Sequence, residues 1–308
     1  MSWLTNPLTL TLLFLGVSAA LYIALRSRPG RIAPHPYPDF ETQFVEVQGW
    51  RIRYHTSGQG PSILLLHGIG ANLLCWRLIT PLLARHFKVY ALDLPGFGQS
   101  QSRALEHYGL DEQVQRLVDF MDQMQIQKSF VVGNSMGGNL ALWLALTHPD
   151  RVLGCAVIAP ATHRKLIPFA LHKLTWLSSA LTVLVTRSAM RWAHLRTVSN
   201  KDRIDRARVE ETFRTYGWSQ ERVRSFLLAT EAIRDSRLPH KLRKIPGKVL
   251  VLWGSEDRMV SRQVIDDLTQ ALASSEIHVH IGGGHHLQED EPEWVSTKIT
   301  DFFTDKQD

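Results

Sequence analysis

The sequence predicts an α/β fold: a mostly parallel central β-sheet with helices on both faces, an inserted helical lid and a single N-terminal transmembrane helix. Three observations support this prediction. Short strand patterns alternate with helical patterns from residue 62 onward, an antiparallel hairpin pattern precedes them, and an uncharged apolar run lies near the start of the chain. With 308 residues, 44% of them hydrophobic, the chain can bury one large core.

The first element is an uncharged run of 18 residues, 8–25. As a helix it would be about 27 Å long, just enough to cross a bilayer core. Arg26 and Arg28 follow the run and no Lys or Arg precedes it, so the positive-inside rule places the catalytic part of the chain on the cytoplasmic side. We therefore interpret residues 1–31 as a single-pass membrane anchor and the proline-rich residues 32–41 as a linker. A cleaved signal peptide is the alternative, although no basic region precedes the run.

Period-two alternation and short apolar runs mark the strands that follow. Residues 42–56, TQFVEVQGWRIRYHT, predict a hairpin that turns near Gly49. Further strands are predicted at residues 62–66, 87–92, 130–132, 152–158, 248–253 and 277–281. Helices are predicted between and after them, at residues 76–84, 111–124, 136–147, 262–273 and 292–303. The two cysteines, Cys75 and Cys155, are interpreted as free core thiols.

The alternation stops at residues 163–244, which show helical patterns and no convincing strand. We interpret this segment as a helical lid inserted between two parts of the core, residues 42–162 and 245–308. The lid carries 18 Lys and Arg against 7 Asp and Glu, a net charge of +11. The whole chain has a net charge of +6, so the remaining residues carry −5 and the basic character resides in the lid.

The stretch VVGNSMGG, residues 131–138, fits the G-x-S-x-G pattern around Ser135. In this pattern a strand turns sharply into a helix and exposes the serine, and glycines are needed because a Cβ would collide with the turn. A strand pattern precedes Ser135 and a helical pattern follows it, as the motif requires. A serine hydroxyl is a poor nucleophile at neutral pH and needs a base that an acid orients. A purely structural serine at a tight turn is the alternative.

Two later loops contain an acid and a histidine in the required order. WGSEDRMV places Asp257 after a predicted strand, and GGGHHLQEDEP places His285 after the next one. Together with LLLHGIG, DLPGFGQS and GNSMGG, these motifs resemble those of lid-bearing serine hydrolases of the α/β-hydrolase superfamily, over about residues 42–305. The resemblance implies Ser135 as nucleophile, Asp257 as acid and His285 as base. Their neighbours Glu256 and His286 match the family positions less well.

The same resemblance implies an oxyanion hole and no cofactor. Two backbone N–H groups must face the oxygen that becomes negative, and in this family they would come from Ile69 and Met136. His286 is expected to pack beside the site or to line the substrate, whereas His67 is expected to be structural. The resemblance implies neither a metal nor an organic cofactor.

The lid composition suggests the substrate. Residues 166–185 are almost wholly apolar and include Trp176 as a candidate substrate-lining residue, and the strongly basic residues 187–208 follow. This combination suits an element that contacts acyl chains and anionic headgroups, so membrane lipids are expected partners. A lid that packs over the active site with a solvated basic back is the compatible alternative. We therefore expect a lipophilic carboxylic ester as substrate.

Two alternatives remain beside this prediction, another enzyme class and a non-catalytic protein. The motif set is similar to those of membrane-bound acylglycerol lipases and of hydrolases that remove the phytyl ester of chlorophyll, but also to that of hydrolases that cleave carbon–carbon bonds in ring-fission products. Dehalogenases and epoxide hydrolases attack with an aspartate, whereas this elbow holds Ser135. A non-catalytic receptor or accessory protein of the same fold is the alternative from another class. Without a recognised nucleic-acid module, no nucleic-acid partner is expected, and the sequence leaves the oligomeric state undefined.

Overall fold

The computed structural model describes residue 37 and residues 40–103, 106–167, 169–217, 219–235 and 237–305. The predicted membrane anchor, residues 1–31, lies outside these ranges, as does most of the predicted linker. Within the described ranges, no single helix is both long and apolar enough to cross a bilayer. Two helical segments, Arg164–Leu184 and Arg187–Thr197, reach the required length and composition only together, with a bend of 103° between them.

Eight strands form one sheet. In chain order they are β1 (Gln43–Val47), β2 (Trp50–Ser57), β3 (Ser62–Leu66), β4 (Lys88–Leu92), β5 (Ser129–Asn134), β6 (Val152–Ile158), β7 (Val249–Gly254) and β8 (Ser275–His280). Their spatial order is β1-β2-β4-β3-β5-β6-β7-β8; β2 pairs antiparallel with β1 and β4, and every other pair is parallel. The predicted hairpin and the mostly parallel sheet are confirmed.

Helices occupy the connections between the strands. Those of the core are α1 (Thr80–Leu83), α2 (Leu110–Gln123), α3 (Met136–Thr147), α9 (Arg262–Ala271), α10 (Leu287–Asp290) and α11 (Pro292–Thr304). The helix predicted at residues 76–84 is wrong, because a 3-10 turn at Leu73–Trp76 and the single turn α1 replace it. Pro81 explains the break: it lacks an N–H group and its ring would clash with the carbonyl of Arg77 in a continuous helix.

The central strands of the sheet are buried on both faces, which explains their continuous apolar sequences. Leu64 and Leu66 of β3 pack in the layer that contains α2 and α3. Ile63 and Leu65, with the opposite orientation, pack in the layer that contains α1 and α11. The packing on both faces therefore holds the carboxyl-terminal ends of the central strands rigidly and shields them from water.

Between β6 and β7 lies the insertion, residues 159–248, in which the described residues form helices and no strand. Its α-helices are α4 (Ser178–Leu181), α5 (Arg187–Thr197), α6 (Arg206–Tyr216), α7 (Gln220–Arg234) and α8 (Arg237–Lys241). The apolar residues 166–185 of this insertion form no single long helix. They form short 3-10 segments around α4, at Arg164–Leu166, Leu171–Leu177 and Thr182–Leu184. The β-branched residues near the end of this stretch, such as Thr182 and Val183, lose side-chain freedom in an α-helix and disfavour one here.

Candidate active site

Ser135 occupies the turn between β5 and α3. Its backbone has φ of 55° and ψ of −118°, a left-handed conformation that costs a non-glycine residue about 1–3 kcal/mol. Two glycines make this turn possible. A Cβ on Gly133 would lie 2.1 Å from the carbonyl oxygen of Gly137, and a Cβ on Gly137 would lie 2.1 Å from that of Leu66. The elbow predicted around Ser135 is therefore present, and its serine is 7% exposed.

Asp257 and His285 follow β7 and β8, so both lie at the carboxyl-terminal edge of the sheet, as Ser135 does. Oδ2 of Asp257 lies 2.9 Å from Nδ1 of His285. The other oxygen, Oδ1, accepts the backbone N–H groups of Met259 and Val260 at 2.7 and 2.9 Å. A carboxylate held in this way orients the imidazole with a proton on Nδ1 and leaves Nε2 as the free base.

The Ser135 hydroxyl makes no hydrogen bond to the His285 ring within the described residues. Such catalytic hydrogen bonds are often long in empty sites and shorten when substrate binds. Asn134 connects the two loops directly: its Nδ2 donates to the carbonyl oxygens of Ile158 at 3.1 Å and of His285 at 3.0 Å. The histidine loop is thereby attached to the residue that precedes Ser135.

The loop after β3 approaches Ser135 from the other side. A Cβ on Gly68 would lie 3.1 Å from Cβ of Ser135, and Ile69 comes next in the chain. Met136, the second predicted oxyanion residue, is the first residue of α3. His67 supports the loop, since Nε2 accepts the N–H of Leu94 at 3.0 Å while Nδ1 lies 2.7 Å from the carbonyl oxygen of Gly68. Burial lowers the pKa of His67 to about 4, so the ring is neutral and structural.

A cavity of about 570 Å³ adjoins these residues. Ile69 and His286 belong to its wall, as does Met259, two residues after Asp257. The wall is otherwise mainly apolar, and its members from the insertion include Leu181, Val185, Met190, Trp192, Phe226 and Leu227. Trp176, the other candidate lining residue, is not part of this wall and is 73% exposed, because residues 166–185 do not form one packed helix.

A buried ionic cluster beneath the histidines was not predicted. Glu289 is fully buried and accepts from Arg77 and from Arg208, with Nη2 of Arg208 at 3.3 Å. Its Oε2 also lies 3.0 Å from Nδ1 of His286. Burial alone would raise the pKa of Glu289, but Arg208, His286 and Arg77 hold it well below its usual range. The motif HHLQEDEP contains the acid, but local sequence gives no sign of its distant arginines.

Within the part of the chain that the structure describes, no cluster of three or more His, Cys, Asp or Glu side chains could hold a metal ion. This edge of the sheet presents a hydroxyl, an imidazole held by a carboxylate, and backbone N–H groups. The model of the family described as alpha/beta hydrolase fold matches residues 61–292.

The chain belongs to the α/β-hydrolase family. This α/β-hydrolase is similar to 2-hydroxymuconate semialdehyde hydrolase of Pseudomonas sp. (strain CF600), with 28% identity over 278 residues that cover 89% of this chain and 97% of that protein. Its structure resembles that of a serine hydrolase involved in carbazole degradation, with 25% identity, a TM-score of 0.71, and coverage of 85% of this chain and 98% of that one. It also resembles a membrane phospholipase A described as a bacterial virulence factor, with 24% identity, a TM-score of 0.73 and coverage of 96% of each chain. The last likeness concerns the fold alone.

Proposed function

We propose that this α/β-hydrolase is a serine hydrolase that cleaves a lipophilic carboxylic ester. One observation carries the proposal: the Asp257–His285 pair, joined at 2.9 Å, stands at the same sheet edge as the strained elbow of Ser135, beside a mainly apolar cavity. Ser135, His285 and Asp257 act as nucleophile, base and orienting acid.

The proposed cycle has two halves. In the first, Ser135 Oγ attacks the carbonyl carbon while Nε2 of His285 takes its proton, and the backbone N–H groups of Ile69 and Met136 stabilise the oxyanion. Collapse of the tetrahedral intermediate breaks the ester C–O bond, and His285 protonates the leaving alcohol. In the second half, water attacks the acyl-enzyme with His285 again as base, which releases the acid and restores Ser135.

The cavity wall supports an apolar substrate. Among its described lining residues, Arg196 is the only one with a permanent charge; it is exposed and its guanidinium lies 5.0 Å from the ring centre of Trp192. Aliphatic and aromatic side chains cover most of the remaining wall. An acyl chain gains about 25 cal/mol for each Å² of apolar surface removed from water in such a cavity.

The named relatives support the alternative better than they support an ester hydrolase. Two curated relatives, hydrolases of 2-hydroxymuconate semialdehyde and of 2-hydroxy-6-oxo-6-(2'-aminophenyl)hexa-2,4-dienoic acid, are 28% and 27% identical to this chain. Their substrates are acids, and cleavage would break a carbon–carbon bond with the same triad. In this chain such an acid would require a cation near the cavity, and Arg196 at its rim is the available group.

One experiment separates these functions. Purified wild-type protein and a Ser135→Ala variant are treated with a fluorophosphonate probe and then assayed with p-nitrophenyl esters of graded chain length and with 2-hydroxymuconate semialdehyde. We expect labelling that requires Ser135 and turnover that rises with acyl length. Equal labelling of both proteins would show a non-catalytic member, whereas turnover of the semialdehyde without ester turnover would establish carbon–carbon bond hydrolysis.

The proposal includes attachment to a membrane. Its support is the uncharged run at residues 8–25 and the flanking arginines, which also imply a cytoplasmic catalytic domain. Membrane lipids are then the first partners, and they would present lipophilic esters to the cavity. Carbonate extraction of membranes that contain the full-length chain tests this attachment: retention in the pellet supports the anchor, and release into the supernatant excludes it.

A further inference from the structure

Two buried histidines in the cavity wall are not used by the proposed mechanism. His194 lies on α5 of the insertion, and His286 follows the proposed base His285. They are 7% and 5% exposed, and both belong to the wall of the same cavity. The ring of His286 also stacks on that of His285, with 5.6 Å between ring centres. Both imidazoles therefore lie where a bound substrate would contact them.

His286 has one nitrogen committed to the protein. Nδ1 lies 3.0 Å from Oε2 of Glu289, a carboxylate that Arg77 and Arg208 keep ionised. A carboxylate only accepts, so Nδ1 carries the proton and donates it. Nε2 is then a lone-pair acceptor, and it has no hydrogen-bond partner among the described residues. Burial lowers the pKa of His286 despite the nearby Glu289, so the ring stays neutral.

His194 repeats this arrangement with the opposite nitrogen. Nε2 lies 2.8 Å from Oγ1 of Thr212, and that hydroxyl donates its own hydrogen to the carbonyl oxygen of Arg208 at 3.1 Å. In the tautomer that carries its proton on Nε2, His194 donates to Thr212, and Nδ1 is a lone-pair acceptor. Burial, with Arg208 nearby, lowers the pKa of His194 to about 3. This ring too is neutral at physiological pH.

We infer that His194 and His286 form a pair of hydrogen-bond acceptors for free hydroxyl groups of the substrate. A buried acceptor without a donor carries a desolvation cost, so the cavity favours a ligand that supplies O–H groups against an otherwise apolar wall. An ester of a polyol, with an apolar acyl chain and unesterified hydroxyls, has this chemistry. A plain alkyl ester lacks the donors. The inference rests on the proposed function and specifies its substrate class.

The binding test uses Ser135→Ala protein, so it does not depend on turnover. Affinities are measured by calorimetry for the glycerol monoether of octanol and for octyl methyl ether, which has the same chain but no hydroxyl. We expect the monoether to bind more tightly, and His286→Phe or His194→Phe to weaken it by about fivefold to tenfold without affecting the methyl ether. His286→Gln, which keeps an acceptor, should retain part of the preference, and His240→Phe, at an exposed histidine of α8 that does not line the cavity, serves as control.

The turnover test compares monoacylglycerol with the methyl ester of the same acid. Each Phe variant should lower kcat/KM for the monoacylglycerol by about fivefold to tenfold and leave that for the methyl ester within twofold. Equal losses for both substrates, or no loss for either, would overturn the inference even if ester hydrolysis is found. Preferential binding of the monoether without any ester turnover would instead refute the proposed function and retain the hydroxyl site.

Discussion

At the scale of single residues, contact with the His285 ring distinguishes the orienting acid from its neighbour in the same motif. Asp257 and Glu256 are adjacent, yet only Asp257 contacts the His285 ring, and its side chain is fully buried. Glu256 is exposed on the same turn. Two backbone N–H groups donate to Oδ1 of Asp257 and restrain the carboxylate beside the imidazole that it must orient.

Asp257→Asn should therefore impair ester turnover severely. An amide at this position can stabilise the wrong tautomer of His285, which leaves Nε2 protonated and unable to act as base, and we expect kcat to fall about 10³- to 10⁴-fold. Glu256→Gln is the matched control and should retain activity within twofold. Comparable losses in the two variants, measured with a p-nitrophenyl ester, would argue against Asp257 as the orienting acid.

At the scale of elements, the insertion has one part attached to the core and one part exposed. Arg208 of α6 is fully buried and reaches Glu289 of α10 and Asn72, with 2.9 Å to Oδ1 of Asn72. Asp290 accepts the backbone N–H groups of Ser199 and Asn200 in the insertion. These buried polar contacts fix α5 and α6 over the site, so the cavity wall has a defined shape.

Arg208→Met should destabilise the protein strongly. The substitution leaves the buried Glu289 with one arginine instead of two and removes one of the two donors to Oδ1 of Asn72. Breaking a buried ion pair costs about 3–5 kcal/mol of unfolding free energy. Arg214→Met on the same helix is the control, because its pair with Glu210 is at the surface and should contribute at most about 1 kcal/mol. Urea unfolding followed by tryptophan fluorescence measures both, and equal changes would contradict a role for the buried cluster.

The exposed part of the insertion is apolar and lacks acidic residues. Six of the eleven large hydrophobic side chains found exposed in the described residues lie there: Phe169, Leu174, Trp176, Val183, Leu184 and Trp192. Residues 151–201 contain no Asp or Glu. An apolar surface in a segment whose charged residues are all cationic is complementary to an anionic bilayer. Leu181, Val185 and Trp192 connect this surface with the cavity wall.

Trp176 should consequently enter the acyl region of anionic vesicles. In full-length protein reconstituted with brominated anionic lipids, we expect a quenched component of tryptophan fluorescence that disappears in Trp176→Phe. The quenched component should weaken at 1 M salt, because the electrostatic screening length then falls to about 3 Å. Trp143→Phe, a substitution in the core, should leave that component in place. Identical quenching of wild type and Trp176→Phe would show that this surface does not meet the bilayer.

At the scale of the whole molecule, buried titratable groups link stability to pH. His194 is neutral in the folded state with a pKa of about 3, against 6.5 when unfolded. Because the folded pKa is depressed, its contribution is fully present above pH 6.5 and is lost as pH falls towards 3. The pKa of Glu289 is also depressed, so the stability that this residue contributes is lost at still lower pH, below the usual pKa range of a glutamate.

The protein should therefore be less stable at pH 5 than at pH 7. His194 alone accounts for a decrease of about 2 kcal/mol in the free energy of unfolding over this interval. His194→Phe removes this contribution, so its stability should change less with pH by about the same amount. Urea unfolding of both proteins at the two pH values tests this, and parallel pH dependence would contradict a neutral buried His194.

Much of the fold and the core of the candidate site could be predicted from local sequence. Period-two alternation in the hairpin and short apolar runs elsewhere located each strand of the sheet to within two residues, because the central strands are buried on both faces. The elbow followed from glycines that a tight turn requires around Ser135. Local rules failed at the helix expected at 76–84, where one proline interrupts it.

By itself, the sequence determined the mostly parallel sheet, the elbow and the order of Ser135, Asp257 and His285. Each strand and each motif among these features is identified from a short stretch of consecutive residues. Only the tertiary structure decided which distant groups meet: Arg208 with Glu289 across 81 positions, and the two histidines in one cavity wall. Such pairs depend on how the insertion docks on the sheet. That docking is set by packing and buried charge summed over many residues, which no short stretch of sequence encodes.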